Sequence, residues 1–267
     1  MENDKFEVDK MGFFAKLKGS LTNPDASKKF LRETMGRTVI YLLLLSLILG
    51  GISAARKTYN YNKGLLEVVN MVEGDMPDFT FENGQLSVQG NMPKVYEDEG
   101  QIVIIDTSGK TDESILDKYQ TGIFISKDKM VQKQGIGSRQ ETSFAAMQGV
   151  SFTKENLKSL LGIAKFWPIF IIIFTPIFFF VSKFAAALIT AVIALIINAI
   201  FIKANLGFGD IYKLAIYSLT LSMILKVFSI VIAVKIPYFG LLYYAIAAIY
   251  LCLGLNAIKK DQDLAMQ

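Results

Sequence analysis

The sequence predicts an α-helical integral membrane protein of about five transmembrane helices, with a small α+β extracytoplasmic domain inserted between helices 1 and 2. Three observations predict it: the uncharged run Thr38 to Ala55, the nearly unbroken apolar stretches after Phe166, and a polar, strand-patterned segment between them. As a helix, Thr38 to Ala55 rises ~27 Å, close to the ~30 Å core of a bilayer.

Residues 1–37 form a basic amphipathic segment. KMGFFAKLKGSL puts Met11, Phe14, Leu17 and Leu21 on one helical face, with lysines as the polar complement. This is the pattern of a helix lying in the interface of an anionic leaflet, and Asn23-Pro24 ends it. Lys10, Phe14, Lys16, Leu17 and Lys18 are the lipid-interface candidates, and membrane lipids are the first expected partner. Nucleic acid is not expected, because no basic domain stands behind the lysines.

Residues 38–55 are the first span. Ser53 and Ala55 make a small-residue pair of the kind signal peptidase cuts, but both the polar lead and the apolar run exceed those of a usual signal. Between Lys10 and Arg37 there are seven Lys or Arg against Asp25 and Glu33, whereas Lys57 to Leu161 holds eleven basic and fifteen acidic residues. Cations collect on cytoplasmic flanks, so the N-terminus is expected in the cytoplasm and residues 56–161 on the other side of the membrane.

Residues 162–258 are expected to form a four-helix transmembrane region. Phe166 to Ile202 is too long for one crossing and is read as two helices, Phe166 to Val181 and Phe184 to Ile202, joined by a tight turn at Ser182 and Lys183. Ile211 to Val234 and Tyr238 to Ile258 follow, broken at Pro237. An odd number of spans leaves the tail, 259–267, outside, where Lys259 and Lys260 sit awkwardly.

There is no histidine, and Cys252 is the only cysteine. Disulfides, thiol chemistry, and zinc or haem sites built on His or Cys are thereby excluded, and no cofactor, metal or catalytic residue is expected. The outside domain opens with FTFENGQLSVQG. Asn83-Gly84 is the signature of a type I′ hairpin, because both tip residues tolerate positive φ. Phe79 then faces Val88 and Phe81 faces Leu86, all on one side, so Phe79, Phe81, Asn83, Gly84, Leu86 and Val88 are the candidate recognition surface.

Gln101 to Asp106 is apolar on both faces and reads as a central strand, a candidate partner for the hairpin. A short helix capped by Thr111 is expected to run to about Tyr119, a second hairpin to turn near Lys127 and Asp128, and Thr153 to cap a helix leading into the next span. A helical stalk is expected from Lys57 to about Gly74.

The turn DTSGKTDE, with Asp106, Lys110 and Asp112, ends like a phosphate loop but has Ile104 where the first glycine belongs. As a calcium loop it places Lys110 at a ligand position. A polar turn leaving a buried strand accounts for it, and a solvated turn accounts for the acids of Tyr96 to Gly100. Within the spans, Lys226 reads either as a functional intramembrane charge or as a lysine snorkelling to the cytoplasmic face. Asn198 reads as an interhelical hydrogen-bond donor or a pore residue.

The ordered stretches FFAKLKGSLTNP, DMPDFTFENGQLSVQG and IVIIDTSGKT, followed by clustered spans, resemble the bacterial family called domain of unknown function 1189 across nearly the whole chain. That family occurs mainly in Gram-positive bacteria, some members bear the label maltodextrin utilisation protein, and its helical part is similar to Yip-type five-span proteins. The resemblance implies topology and no catalytic residues. The expected function is that of a non-enzymatic accessory or sensing protein. Its outside domain would bind a protein or envelope ligand, and its helices a membrane partner. The alternative is a small-solute permease or channel component using Lys226 and Asn198.

Overall fold

The computed structural model describes residues 11–74, 76–98, 101–135, 137–234 and 236–267. The chain divides into two compact units, Met1–Tyr61 with Trp167–Gln267, and Asn62–Phe166. Among the described residues four helices are long and apolar enough to cross a membrane.

In the helical unit, α1 (Phe13–Thr22) and α2 (Ala26–Arg32) precede α3 (Met35–Glu73), whose last residues belong to the other unit. Next come α5 (Trp167–Ile197, extended by a π turn Asn198–Ile202), α6 (Phe208–Val231) and α7 (Phe239–Leu264). The expected turn at Ser182 and Lys183 is absent, because α5 runs straight through it. Neither residue is a helix breaker. The Ser182 hydroxyl donates to the Phe179 carbonyl at 2.8 Å and the Lys183 ammonium finds aromatic faces at Phe179 and Tyr243, so continuing the helix leaves neither group stranded. Four candidate spans replace the five expected.

Helix α6 is the centre of this unit. Ile211, Leu214, Ala215, Ile216, Leu219 and Met223 are all buried, as required of a helix surrounded by others. Against it α5 places Ala186, Ala187, Ala191 and Ala194, small residues that let helix backbones approach closely. On the N-terminal half of α5, Phe170, Phe174 and Phe178 stay exposed. Gly50 of α3 is needed for a similar approach, since a Cβ there would lie 2.7 Å from the Pro176 Cα.

The direction of the helices follows from side-chain pairs. Thr38 meets Tyr217 at 3.3 Å and Tyr41 meets Thr220 at 2.9 Å, so α3 and α6 run in parallel. Ser222 donates to the Tyr243 carbonyl at 2.8 Å and Lys226 lies over Phe239, so α7 runs the opposite way. Tyr250 donates to the Leu21 carbonyl and Lys28 pairs with Asp261 at 3.0 Å. The helices before α3 and the last turns of α7 therefore share one end of the bundle.

The other unit holds two sheets and its own core. β1 (Phe79–Glu82) and β2 (Gln85–Val88) form the expected hairpin in the expected register, Phe79 opposite Val88 and Phe81 opposite Leu86. Asn83 and Gly84 take φ of 50° and 73°. The third strand beside β1 is β8 (Ser151–Thr153), not Gln101 to Asp106. That segment is β4 (Gln101–Ile105), in a five-stranded sheet of order β3-β4-β5-β6-β7 with β3 (Lys94–Asp98), β5 (Thr121–Ile125), β6 (Lys129–Gln134) and β7 (Arg139–Ser143).

A strand apolar on both faces is satisfied better between two long partners than beside a short hairpin. β4 and β5 are parallel, and the crossover carries a 3-10 helix, Glu113–Lys118, that drops Leu116 onto Ile102, Ile104, Phe124 and Val131. Its cap is Asp112, not Thr111, because Thr111 is engaged by Asp106. β5 and β6 are the expected second hairpin. Thr153 and Asn156 form a reciprocal capping box that starts α4 (Lys154–Ala164), as its place before KENLKSLL predicts.

Candidate functional site

The hairpin residues proposed as a recognition surface have partners of their own. Phe81 is buried and packs edge-on against Phe144, with ring centroids 5.4 Å apart, while Phe79 meets Phe152 at 6.3 Å. The Gly84 backbone approaches the Phe144 carbonyl so closely that a Cβ would stand 2.7 Å from it. Leu86 N–H donates to the Lys127 carbonyl and Val88 N–H to the Thr107 hydroxyl, joining the hairpin to the five-stranded sheet. What the hairpin presents outward is Asn83 and the row Thr80, Glu82, Ser87 and Gln89.

The polar turn is built around one carboxylate. Asp106 is buried; Ser108 donates to one of its oxygens from N–H and hydroxyl at 2.8 and 2.6 Å, and Thr111 donates to the other at 2.6 and 2.7 Å. Burial alone raises such a carboxyl, but these four donors outweigh it and hold Asp106 well below the ordinary carboxylate range. Both oxygens serve as a staple for the turn. Lys110 reaches the Met92 carbonyl at 3.5 Å, and Asp112, lowered by its bonds to Ser114, caps the 3-10 helix. Nearby, Lys129 bonds Glu113 at 2.9 Å, which raises the lysine and lowers the glutamate.

Among the lipid-interface candidates, Phe14 and Lys18 are exposed and Lys10 lies outside the described residues. Leu17 packs on the bundle core together with Phe13. Lys16 corrects the expectation: it is buried and paired with Glu33 at 3.1 Å. The helix is rotated from the expected face because a buried acid, Glu33, draws the lysine inward. Lys213 donates to the Leu31 and Glu33 carbonyls beside this pair.

Asn198 is neither interhelical nor pore-lining in its bonding. Its side chain donates to the Ala204 carbonyl and accepts from the Ala204 N–H, both at 3.0 Å, closing the loop after α5. Lys226 lies at the other end of the bundle, opposite α1 and α2. Its ammonium is 4.7 Å from the Phe239 ring centroid, at the end where α3 reaches Arg56.

Arg56, Asn60, Lys226 and Ser229 there line a pocket of about 380 Å³ with apolar walls from Ile230, Val234 and Phe239. None of its described lining residues is acidic. Arg56 Nε is buried with no hydrogen-bond partner among the described residues, although the guanidinium lies 5.6 Å from the Tyr59 ring centroid. Sequence reasoning missed Arg56, whose one signal was its place as the first charge after the apolar run. It also read Lys183 as a turn residue, whereas Lys183 lies inside α5 with its ammonium 4.4 Å from the Tyr243 ring centroid.

Helices of this length and composition around a packed core, with a compact mixed unit between two of them in the chain, define a membrane-type helical protein carrying a small sheet-bearing unit. The family model described as protein of unknown function (DUF1189) matches residues 14–255, and the chain belongs to that family. No curated protein and no solved structure matches it.

Proposed function

We propose that the protein is a non-enzymatic membrane protein whose helices serve as an anchor and whose unit 62–166 stands outside the cytoplasm to bind a protein or envelope ligand. The observation that carries this reading is that residues 62–166 form a compact unit with two sheets and a core of their own, placed in the chain between two candidate spans. The bundle supports the anchor role, since its central hydroxyls bond across helix interfaces, as in Tyr41 with Thr220 and Ser222 with the Tyr243 carbonyl.

Orientation in this reading follows the cations. Lys18, Lys28, Lys259 and Lys260 gather near one end of the bundle, which the positive-inside tendency assigns to the cytoplasm. The maltodextrin label borne by some members of the family directs the partner search toward carbohydrate uptake.

The experiment is crosslinking and affinity purification of tagged full-length protein from its native membranes, beside a chain lacking residues 75–153, which carry the eight strands found among the described residues. A stoichiometric partner held by the full chain and lost with the deletion supports the reading. Equal capture by both chains removes it. A second reading, a permease component, is favoured by the cationic pocket at Lys226. It fails if Lys226→Leu leaves solute flux in reconstituted vesicles unchanged.

A further inference from the structure

We propose that Arg56 and Lys226 form a binding site for a phosphate-type oxyanion, supplied by the headgroup of an anionic lipid. The pocket brings two cations together, and none of its described lining residues is acidic to neutralise them. Two like charges in one pocket repel, and an arrangement of this kind is relieved by an anion between them.

The donor set fits that chemistry. A guanidinium offers a planar fork of N–H groups matched to phosphate oxygens, and an ammonium adds a compact point charge. Arg56 Nε is already desolvated and has no hydrogen-bond partner among the described residues, so it is a donor ready for a ligand. Asn60 and Ser229 add neutral donors on the same walls.

Depth selects the source. Arg56 directly follows the uncharged run Thr38 to Ala55, and Lys226 lies ~27 Å along α6 from Phe208, so both stand at the far edge of an apolar layer about 30 Å thick. Ile230, Val234 and Phe239 supply apolar wall beside the cations, the surface an acyl chain would follow from its headgroup. Lysines that merely snorkel point outward to many lipids, whereas Lys226 lies over Phe239 and lines one open pocket with Arg56. The inference goes beyond the anchoring role and does not depend on what residues 62–166 bind.

The test titrates purified full-length protein in a neutral detergent with dioleoylphosphatidylglycerol, with dioleoylphosphatidylcholine, and with inorganic phosphate alone, following the thermal midpoint. Phosphatidylglycerol is expected to raise it saturably, with little effect from phosphatidylcholine. R56Q/K226M is expected to need about tenfold more phosphatidylglycerol for the same shift, the scale of losing charge-assisted donors, and R56K/K226R to retain the response. If inorganic phosphate alone reproduces the shift in the wild type and the variant loses it, the oxyanion site stands and the lipid source is wrong. A double variant that responds like the wild type overturns the site. If that variant does not yield folded protein, phosphatidylglycerol retained by K226M, counted by native mass spectrometry, decides, and retention equal to the wild type overturns the proposal.

Discussion

The Lys16 ammonium stands 3.1 Å from the Glu33 carboxylate, with 7% and 4% of the two side chains exposed. A basic helix that the sequence lays on the lipid surface is thereby pinned to the bundle by its own lysine. Arg37, at 3.8 Å from the same carboxylate, adds a partly exposed second cation.

Breaking that pair strands one charge. Glu33→Gln and Lys16→Met are each expected to destabilise the helical unit by about 3 kcal/mol. Lys16→Met combined with Glu33→Gln should cost clearly less than the two single changes added together, because neither charge is then left alone. Thermal unfolding in detergent reads this, and single variants that unfold like the wild type would show the pair to be incidental.

Asp106 makes the stability of the sheet-bearing unit depend on acid. Its folded-state value is depressed, so the carboxylate contributes stability that is complete above the ordinary aspartate value of about 3.9 and is lost as pH falls toward the folded value. Asp106→Asn is expected to cost about 2 kcal/mol at neutral pH and to flatten the unit's pH response below pH 4. Hydrogen exchange at residues 102–125 of the full-length protein, followed against pH, measures both effects.

Two glycines in the same unit have no room for a side chain. Gly84 combines φ of 73° with the Phe144 carbonyl 2.7 Å from where a Cβ would be, and Gly122 would push its Cβ to 2.6 Å from Ile102 Cγ2. Gly84→Ala is expected to cost at least about 1 kcal/mol from backbone strain alone, and Gly122→Val more, because it must part β4 from β5. Protease sensitivity of residues 62–166 should rise in both, whereas Gly162→Ala, at a helical position of α4 with open space around it, should not raise it.

The hairpin, its register and the Thr153 cap were legible because each rests on local chemistry: positive φ at Asn83 and Gly84, alternation in the strands, a hydroxyl before a helical run. What covered the hairpin was not legible. Phe144 and Phe152 lie some sixty to seventy residues away, and neither sits in a patterned segment. The missing turn at Ser182 was an inference from length alone, and length limits how much of a helix a membrane covers, not where the helix must end. Lys16 and Lys226 were visible as charges, but their partners, Glu33 and Arg56, stand on other elements. The turn after α2 brings Glu33 to Lys16 on α1, and the parallel paths of α3 and α6 bring Arg56 and Lys226 to one pocket.

The proposed topology puts unit 62–166 outside and both chain ends in the cytoplasm. On a Cys252→Ala background, single cysteines at Lys18, at exposed Ser87 and at Met266 are to be labelled in intact cells with a membrane-impermeant maleimide. The account predicts that Ser87→Cys reacts at once, and that Lys18→Cys and Met266→Cys react only after permeabilisation. Labelling of Met266→Cys in intact cells, or protection of Ser87→Cys, would contradict it.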